Sequence, residues 1–366
     1  MPSQTAPLSP AAPLEQARTR LEAHDFAGAA SLARQALAAE PAQRDALYLL
    51  AVAQRYGGDA AGALATLATL VEHHPAYGRA HQERGHGLLA LGDRAAALTA
   101  YQHAVTANPA LAASWARLAE LQEDDAGAYA RAQHAYLAAL PPPLQAAASM
   151  IHEDRLARAE EICRAFLQAH PTHVGAMRLL ADIGGRFHAL DEAEFLLESA
   201  VMLAPEDTGA RYDYAQVLNK RQKFAQALAQ AEQLSALDGD SLQIDSLYAD
   251  QNLAVGNFVA ALEVYRARVA AHPRNPSYHL TLGHVLKTVD AIPEAVAAYR
   301  AAYGHRPDYG VAYWSLANLK TYRFSDAELG QMRRAEADAA TGLVDRYHLC
   351  FALGKALEDR GEHAES

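Results

Sequence analysis

Cysteine is scarce: Cys163 and Cys350 are the two in 366 residues, far apart and in no CxxC pair. That excludes a disulfide framework or a cysteine zinc site and fits a reduced, cytoplasmic setting. No window approaches eighteen consecutive apolar residues, so no membrane-spanning helix is predicted. Clusters of Lys and Arg are missing as well. The 32 basic and 43 acidic residues, net −11, are dispersed in short mixed pairs, which argues against nucleic acid or an anionic membrane as partner. Strands need alternating Val/Ile/Thr runs, and these too are lacking, whereas alanine and leucine abound. The chain reads as all-α. Residues 1–13, rich in Pro and Ala and without a basic or apolar signal segment, read as a disordered tail.

Prolines mark an internal period. Pro41, Pro75 and Pro109 are 34 residues apart, as are Pro171 and Pro205, and Pro273 and Pro307; Gly239 sits midway between Pro205 and Pro273. Each proline closes a stretch of helical periodicity, because the residue before proline is pushed out of the α region. Between prolines, Gly58-Asp59, Gly92-Asp93 and Gly256-Asn257 mark tight turns, glycine taking the left-handed cap and the short polar residue capping the next helix. Small residues recur at fixed offsets. Leu50-Ala51, Tyr214-Ala215, Tyr248-Ala249 and Leu282-Gly283 fall in first helices, and Ala29, Ala63, Ala97, Ala193, Ala227, Ala261 and Ala295 fall at one place in second helices. Such positions let two helices approach closely.

The period, the offsets and the closing proline resemble the tetratricopeptide repeat over about residues 10–341. The resemblance implies an α-α superhelix, a solenoid of about nine to ten helical hairpins plus an incomplete last one. Regular repeats are expected over 14–111 and 174–309. Two shortened units, 112–141 and 142–173, divide at Pro141-Pro142-Pro143 and predict a bend or hinge. Over 310–366 a divergent repeat is expected, in which Thr321-Tyr322-Arg323-Phe324 replaces the Gly-Asp turn and Ser325 to Glu328 forms a capping box. A further first helix follows from Tyr347 to Leu357 and would leave Leu349, Phe351, Leu353 and Leu357 partly uncovered. The expectation is a truncated terminal repeat.

Gly283 to Thr288, Ala312 to Asp326 and Phe351 to Asp359 resemble one bacterial family, the tetratricopeptide-repeat sulfotransferases, most specifically over residues 276–359. That resemblance implies a catalytic domain following Ser366, and 3′-phosphoadenosine 5′-phosphosulfate (PAPS) would bind there. No phosphosulfate loop, Walker loop, GxGxxG or GxSxG stands in this sequence. Neither a catalytic residue nor a cofactor is therefore assigned to this chain.

Histidines number seventeen, but no HExxH pair occurs and no metal site is predicted. His74, His170, His272 and His305 end second helices, where they complement the helix dipole. The acidic pairs Asp124-Asp125, Glu153-Asp154, Glu160-Glu161 and Asp191-Glu192 read as solvated surface. Cys163 reads as a buried structural thiol, and Tyr101, Tyr265 and Tyr299 as core.

In the family, first helices line a concave wall. That rule selects Tyr212, Gln216 and Asn219; Ser246, Asp250 and Leu253; Leu280, His284 and Lys287; and Trp314, Asn318 and Thr321 as partner-binding residues. Trp314 and Asn318 are i,i+4 neighbours, suited to gripping a peptide; the competing reading packs Trp314 on the helix after Ser325. The function implied is a non-catalytic scaffold for a protein or peptide, the arm of a sulfotransferase with its catalytic domain in cis. Two other readings are a free-standing adaptor for an assembly or secretion complex and an enzyme with a groove site around His284, Lys287 and Asn318.

Overall fold

The structure is a computed structural model that describes residues 11–123, 125–237, 242–319 and 321–362. Among the described residues are 21 helices and no strand. Contacts divide the chain into unit 1, Met1–Leu196, and unit 2, Leu197–Ser366. The division falls inside a helix and at none of the boundaries expected from the repeats.

Helices come as first and second members of hairpins. Unit 1 opens with α1 (Ala11–Glu22) and α2 (Phe26–Ala39), α3 (Arg44–Tyr56) and α4 (Ala60–His73), and α5 (Gly78–Ala90) and α6 (Arg94–Ala107). It continues with α7 (Ala112–Leu121) and α8 (Asp125–Ala139), then α9 (Pro142–Ile151) and α10 (Leu156–Ala169). Next come α11 (Val174–Arg186) and α12 (Leu190–Leu203), the helix in which the division falls. Unit 2 holds α13 (Thr208–Lys220) and α14 (Phe224–Leu237), then α15 (Leu242–Ala254) and α16 (Phe258–Ala271). It ends with α17 (Pro276–Thr288) and α18 (Ile292–His305), α19 (Gly310–Ala317) and α20 (Asp326–Ala337), and α21 (Leu343–Glu358). Helix α1 begins at Ala11, so 11–13 are not tail; residues 1–10 of that expected tail, and Gly239, lie outside the described residues.

The small-residue offsets do what close approach requires. Ala29, Ala63, Ala97, Ala193, Ala227, Ala261 and Ala295 are all 0 % exposed. A Cβ added at Gly85 would stand 2.6 Å from Tyr101 Cε1, and one at Gly283 2.6 Å from Tyr299 Cε1. In both hairpins glycine therefore lets the ring of the second helix lie on the backbone of the first. First helices also lie side by side, α1 on α3, α3 on α5, α9 on α11 and α19 on α21.

In eight of the hairpins the turn reverses through one left-handed residue. Glycine supplies it at Gly58, Gly92 and Gly256, but His24, Asp154, His188, Gln222 and Asp290 take φ between 58° and 61° in the corresponding turns. Asp25, Asp59 and Asp93 then accept from Gly28, Gly62 and Ala96 N–H at 2.9, 2.8 and 3.0 Å, capping the second helix.

In the shortened hairpins it is the first helices that lose length: α7 and α9 have ten residues each, whereas α8 has 15 and α10 has 14. At the expected bend the structure holds a polar tie. Arg79 on α5 pairs with Glu153 and donates to Ser149 Oγ at 3.1 Å; Ser149 Oγ donates to Glu153 at 2.9 Å, and Asn108 Nδ2 donates to Ser149 Oγ at 3.0 Å. Glu153 is 8 % exposed, which corrects its reading as solvated surface: the Arg79 guanidinium and the Ser149 hydroxyl solvate it instead of water. Asp124 lies outside the described residues.

The divergent repeat follows its sequence in part. Ser325 and Glu328 form the expected capping box. Helix α19, however, stops at Ala317; Asn318 is its C-cap and Thr321 lies in the turn beyond, so Thr321 is not on a first helix. Two residues expected to lack cover are buried, Leu349 at 0 % and Leu357 at 4 %, because α21 packs on both α19 and α20; Phe351 stays 48 % exposed.

Candidate functional site

In unit 2, the first-helix residues selected from the sequence divide by exposure. Asp250, His284, Lys287, Asn318 and Thr321 are exposed, and Tyr212, Gln216, Asn219, Ser246, Leu253, Leu280 and Trp314 are half-buried. Leu253, Leu280 and Trp314 rest on one core shared by α15 to α21. On α13, Gln216 Nε2 donates to Tyr212 Oη at 3.1 Å.

Trp314 packs on Phe351 of α21, with ring centroids 5.6 Å apart, and the Tyr347 ring lies 4.6 Å from that of Phe351. Its aromatic neighbour is thus on α21, and the core it packs against also includes Leu329 and Met332 of α20. Phe351, with Tyr347 at 58 %, Val344 at 69 % and Leu343 at 83 % exposure, adds apolar surface beside Trp314. Sequence reasoning missed this part of the wall, having treated α21 as an end.

A tyrosine about two turns into the second helix bonds a polar residue of the first helix. Tyr299 Oη lies 3.0 Å from His284 Nδ1, and Tyr265 Oη donates to Asp250 Oδ1 at 3.1 Å. Burial and then the Lys287 charge lower the His284 pKa, whereas burial raises that of Asp250 against the opposing Tyr265 hydrogen bond. The three core tyrosines are 0–4 % exposed, as the sequence implies.

The same device in unit 1 borders a cleft of about 550 Å³ lined by Arg55 and Tyr56 of α3, His86, Leu89 and Ala90 of α5, and Arg117 of α7. Tyr101 Oη lies 2.6 Å from His86 Nδ1. Burial, reinforced by the Arg55 and Arg117 charges, pushes the His86 pKa down to about 4, so the ring is neutral near pH 7. Arg55 Nε donates to buried Glu83 at 2.6 Å, and its guanidinium lies 4.1 Å from the centre of the Tyr56 ring. Arg117 Nη1 donates to Glu120 at 2.6 Å. None of these residues was selected from the sequence, although His86 stands at the repeat offset of His284 and Arg55 and Leu89 at that of Lys287.

Of the helix-ending histidines, His74, His272 and His305 contact a neighbouring segment and His170 its own helix. His74 Nε2 donates to Ala42 O at 2.9 Å, His170 lies on Phe166 at 4.6 Å, His272 on Tyr278 at 5.8 Å and His305 on His279 at 5.3 Å. Cys163 is buried, and burial raises its thiol to about 11, as a structural thiol requires. Among the described residues no group of three His, Cys, Asp or Glu is arranged to hold a metal, and no helix is long and apolar enough to cross a membrane.

The sequence matches the family model of the tetratricopeptide repeat over residues 20–83 and 187–250, roughly a third of the chain. No curated protein matches it. Among solved structures it is similar to a tetratricopeptide repeat protein from Parabacteroides merdae, at 13 % identity and a TM-score of 0.42, covering 76 % of this chain and 99 % of that one. It is also similar to MamA from Desulfovibrio magneticus, at 14 % identity and a TM-score of 0.42, covering 46 % and 97 %.

Proposed function

We propose that this chain of tetratricopeptide repeats is a non-catalytic scaffold that recruits a protein or peptide on its first helices. The observation that carries the reading is the aromatic group of half-buried Trp314 and exposed Phe351 and Tyr347, in a unit whose selected residues His284, Lys287 and Asn318 are also exposed. Large aromatics flanked by polar groups are what protein interfaces use as anchors. Affinity capture from the host extract tests it. The wild-type chain is expected to retain a partner that the double variant Trp314→Ala, Phe351→Ala loses, with helicity unchanged by circular dichroism. Equal capture by both would overturn the assignment to this surface.

The resemblance over residues 276–359 supports a finer reading, in which the scaffold is the recruiting arm of a PAPS-dependent sulfotransferase. A reading frame that continues past Ser366 into a phosphosulfate-binding loop is the expected result of sequencing the gene onward. A stop codon there would remove that reading and leave the free-standing adaptor.

A further inference from the structure

The cleft of unit 1 has a lining of one electrical sign. Its two charged groups, Arg55 and Arg117, are both cations, and each is engaged by its carboxylate through one nitrogen, Nε to Glu83 and Nη1 to Glu120. A guanidinium carries five N–H donors in a planar fork that matches a carboxylate. Arg55 is held in place, with Glu83 beneath it at 5 % exposure and the Tyr56 ring against its face. Donors fixed in this way lose little freedom on binding. In the tautomer in which Tyr101 donates to His86 Nδ1, Nε2 carries the ring proton, and His86 adds a further donor without adding charge. Leu89, Ala90 and the Tyr56 ring supply an apolar floor.

We infer that this cleft docks an acidic peptide segment, one carboxylate side chain lying between Arg55 and Arg117 and an adjacent aliphatic side chain resting on Leu89 and Ala90. The inference rests on the reading of first helices as a protein-binding wall, and it adds the chemistry of the ligand and a second place on the chain. A volume of about 550 Å³ exceeds that of a lone small anion and suits two neighbouring side chains. The lack of Lys/Arg clusters that could follow a phosphate backbone disfavours nucleic acid as the source of the anion.

The test uses the full chain and two fluorescein-labelled peptides, one of alternating Glu and Leu and one of alternating Gln and Leu, titrated by anisotropy. The Glu peptide is expected to bind about tenfold more tightly, and to weaken as salt rises. Arg117→Gln should lose roughly tenfold for the Glu peptide alone. Arg55→Gln would strand Glu83 in the interior, so Arg55→Lys is used; it keeps the charge, removes the fork and should lose roughly threefold. Circular dichroism checks that both variants keep wild-type helicity. Equal binding of the two peptides, no binding of the Glu peptide, or folded variants that bind it like wild type would each overturn the inference. Trp314→Ala, in unit 2, separates the two proposals: it should bind the Glu peptide normally while losing the partner captured by the unit 2 wall.

Discussion

At the scale of single residues, the hairpin turn is the most repeated decision in the chain. A left-handed conformation costs a residue with a Cβ about 1–2 kcal/mol relative to glycine. Five of the turns nevertheless use His24, Asp154, His188, Gln222 or Asp290. Gln222→Gly is expected to raise stability by about 0.5–1 kcal/mol, and Gly92→Ala, at φ 84°, to lower it by about 1 kcal/mol. Urea unfolding of the two variants checks both signs, and a destabilised Gln222→Gly would contradict the account. The glycine turns were legible in the sequence because Gly-Asp repeats; the other five were not, since the backbone there is imposed by the two flanking helices. A second device was hidden for a similar reason. Six residues after the closing proline, a side chain donates to that proline's carbonyl: His81 at 2.9 Å, Trp115 at 2.8 Å, Arg211 at 2.7 Å, His279 at 2.8 Å and Tyr313 at 3.2 Å. Four residue types share one N–H or O–H function, and no pattern of letters displays it. The alanine series was legible because one steric demand admits one small side chain.

At the scale of elements, the departures from the 34-residue period are paid for by buried polar links. Helix α19 has eight residues, and the longer connection to α20 is gathered around Glu328. That carboxylate accepts from Tyr322 Oη at 2.5 Å, Tyr303 Oη at 2.7 Å, Ser325 N–H and Oγ at 2.8 Å and Arg300 Nε at 3.2 Å. Burial alone would raise its pKa, but the hydrogen bonds from Tyr322, Ser325 and Tyr303 prevail and hold it at about 2. The capping box could be read from Ser325-Asp326-Ala327-Glu328, whereas the tyrosines and Arg300 come from the preceding hairpin and connection and could not. Glu328→Gln removes the charge from this set and should cost about 2 kcal/mol. Amide exchange in α20 is expected to quicken while that in α13 does not. Unchanged protection of α20 would show that the capping box alone holds the helix.

At the scale of the molecule, the two units should respond to acid over different intervals. His81, His86 and His152 of unit 1 all have pKa values lowered chiefly by burial, His86 to about 4. A base with a lowered folded pKa contributes stability in full above its unfolded value near 6.5, and the contribution falls as pH descends toward the folded value. For His86 that is about 2 kcal/mol after allowance for solvent screening. Among the described residues of unit 2 there is one such histidine, His284, and Asp250 with its raised pKa works in the opposite direction as the pH falls. Its larger loss comes from Glu328, whose depressed pKa contributes fully above about 4.5 and is lost as pH falls through about 2. The two tryptophans separate the units, Trp115 lying in unit 1 and Trp314 in unit 2. Trp314→Phe therefore reports unit 1 by fluorescence and Trp115→Phe reports unit 2. Between pH 7 and pH 4.5 the urea midpoint read by Trp115 should fall further than that read by Trp314, with the order reversing below pH 4.5. Equal shifts across both intervals would mean that the whole array unfolds as one cooperative body, its nearest-neighbour coupling outweighing the local titrations.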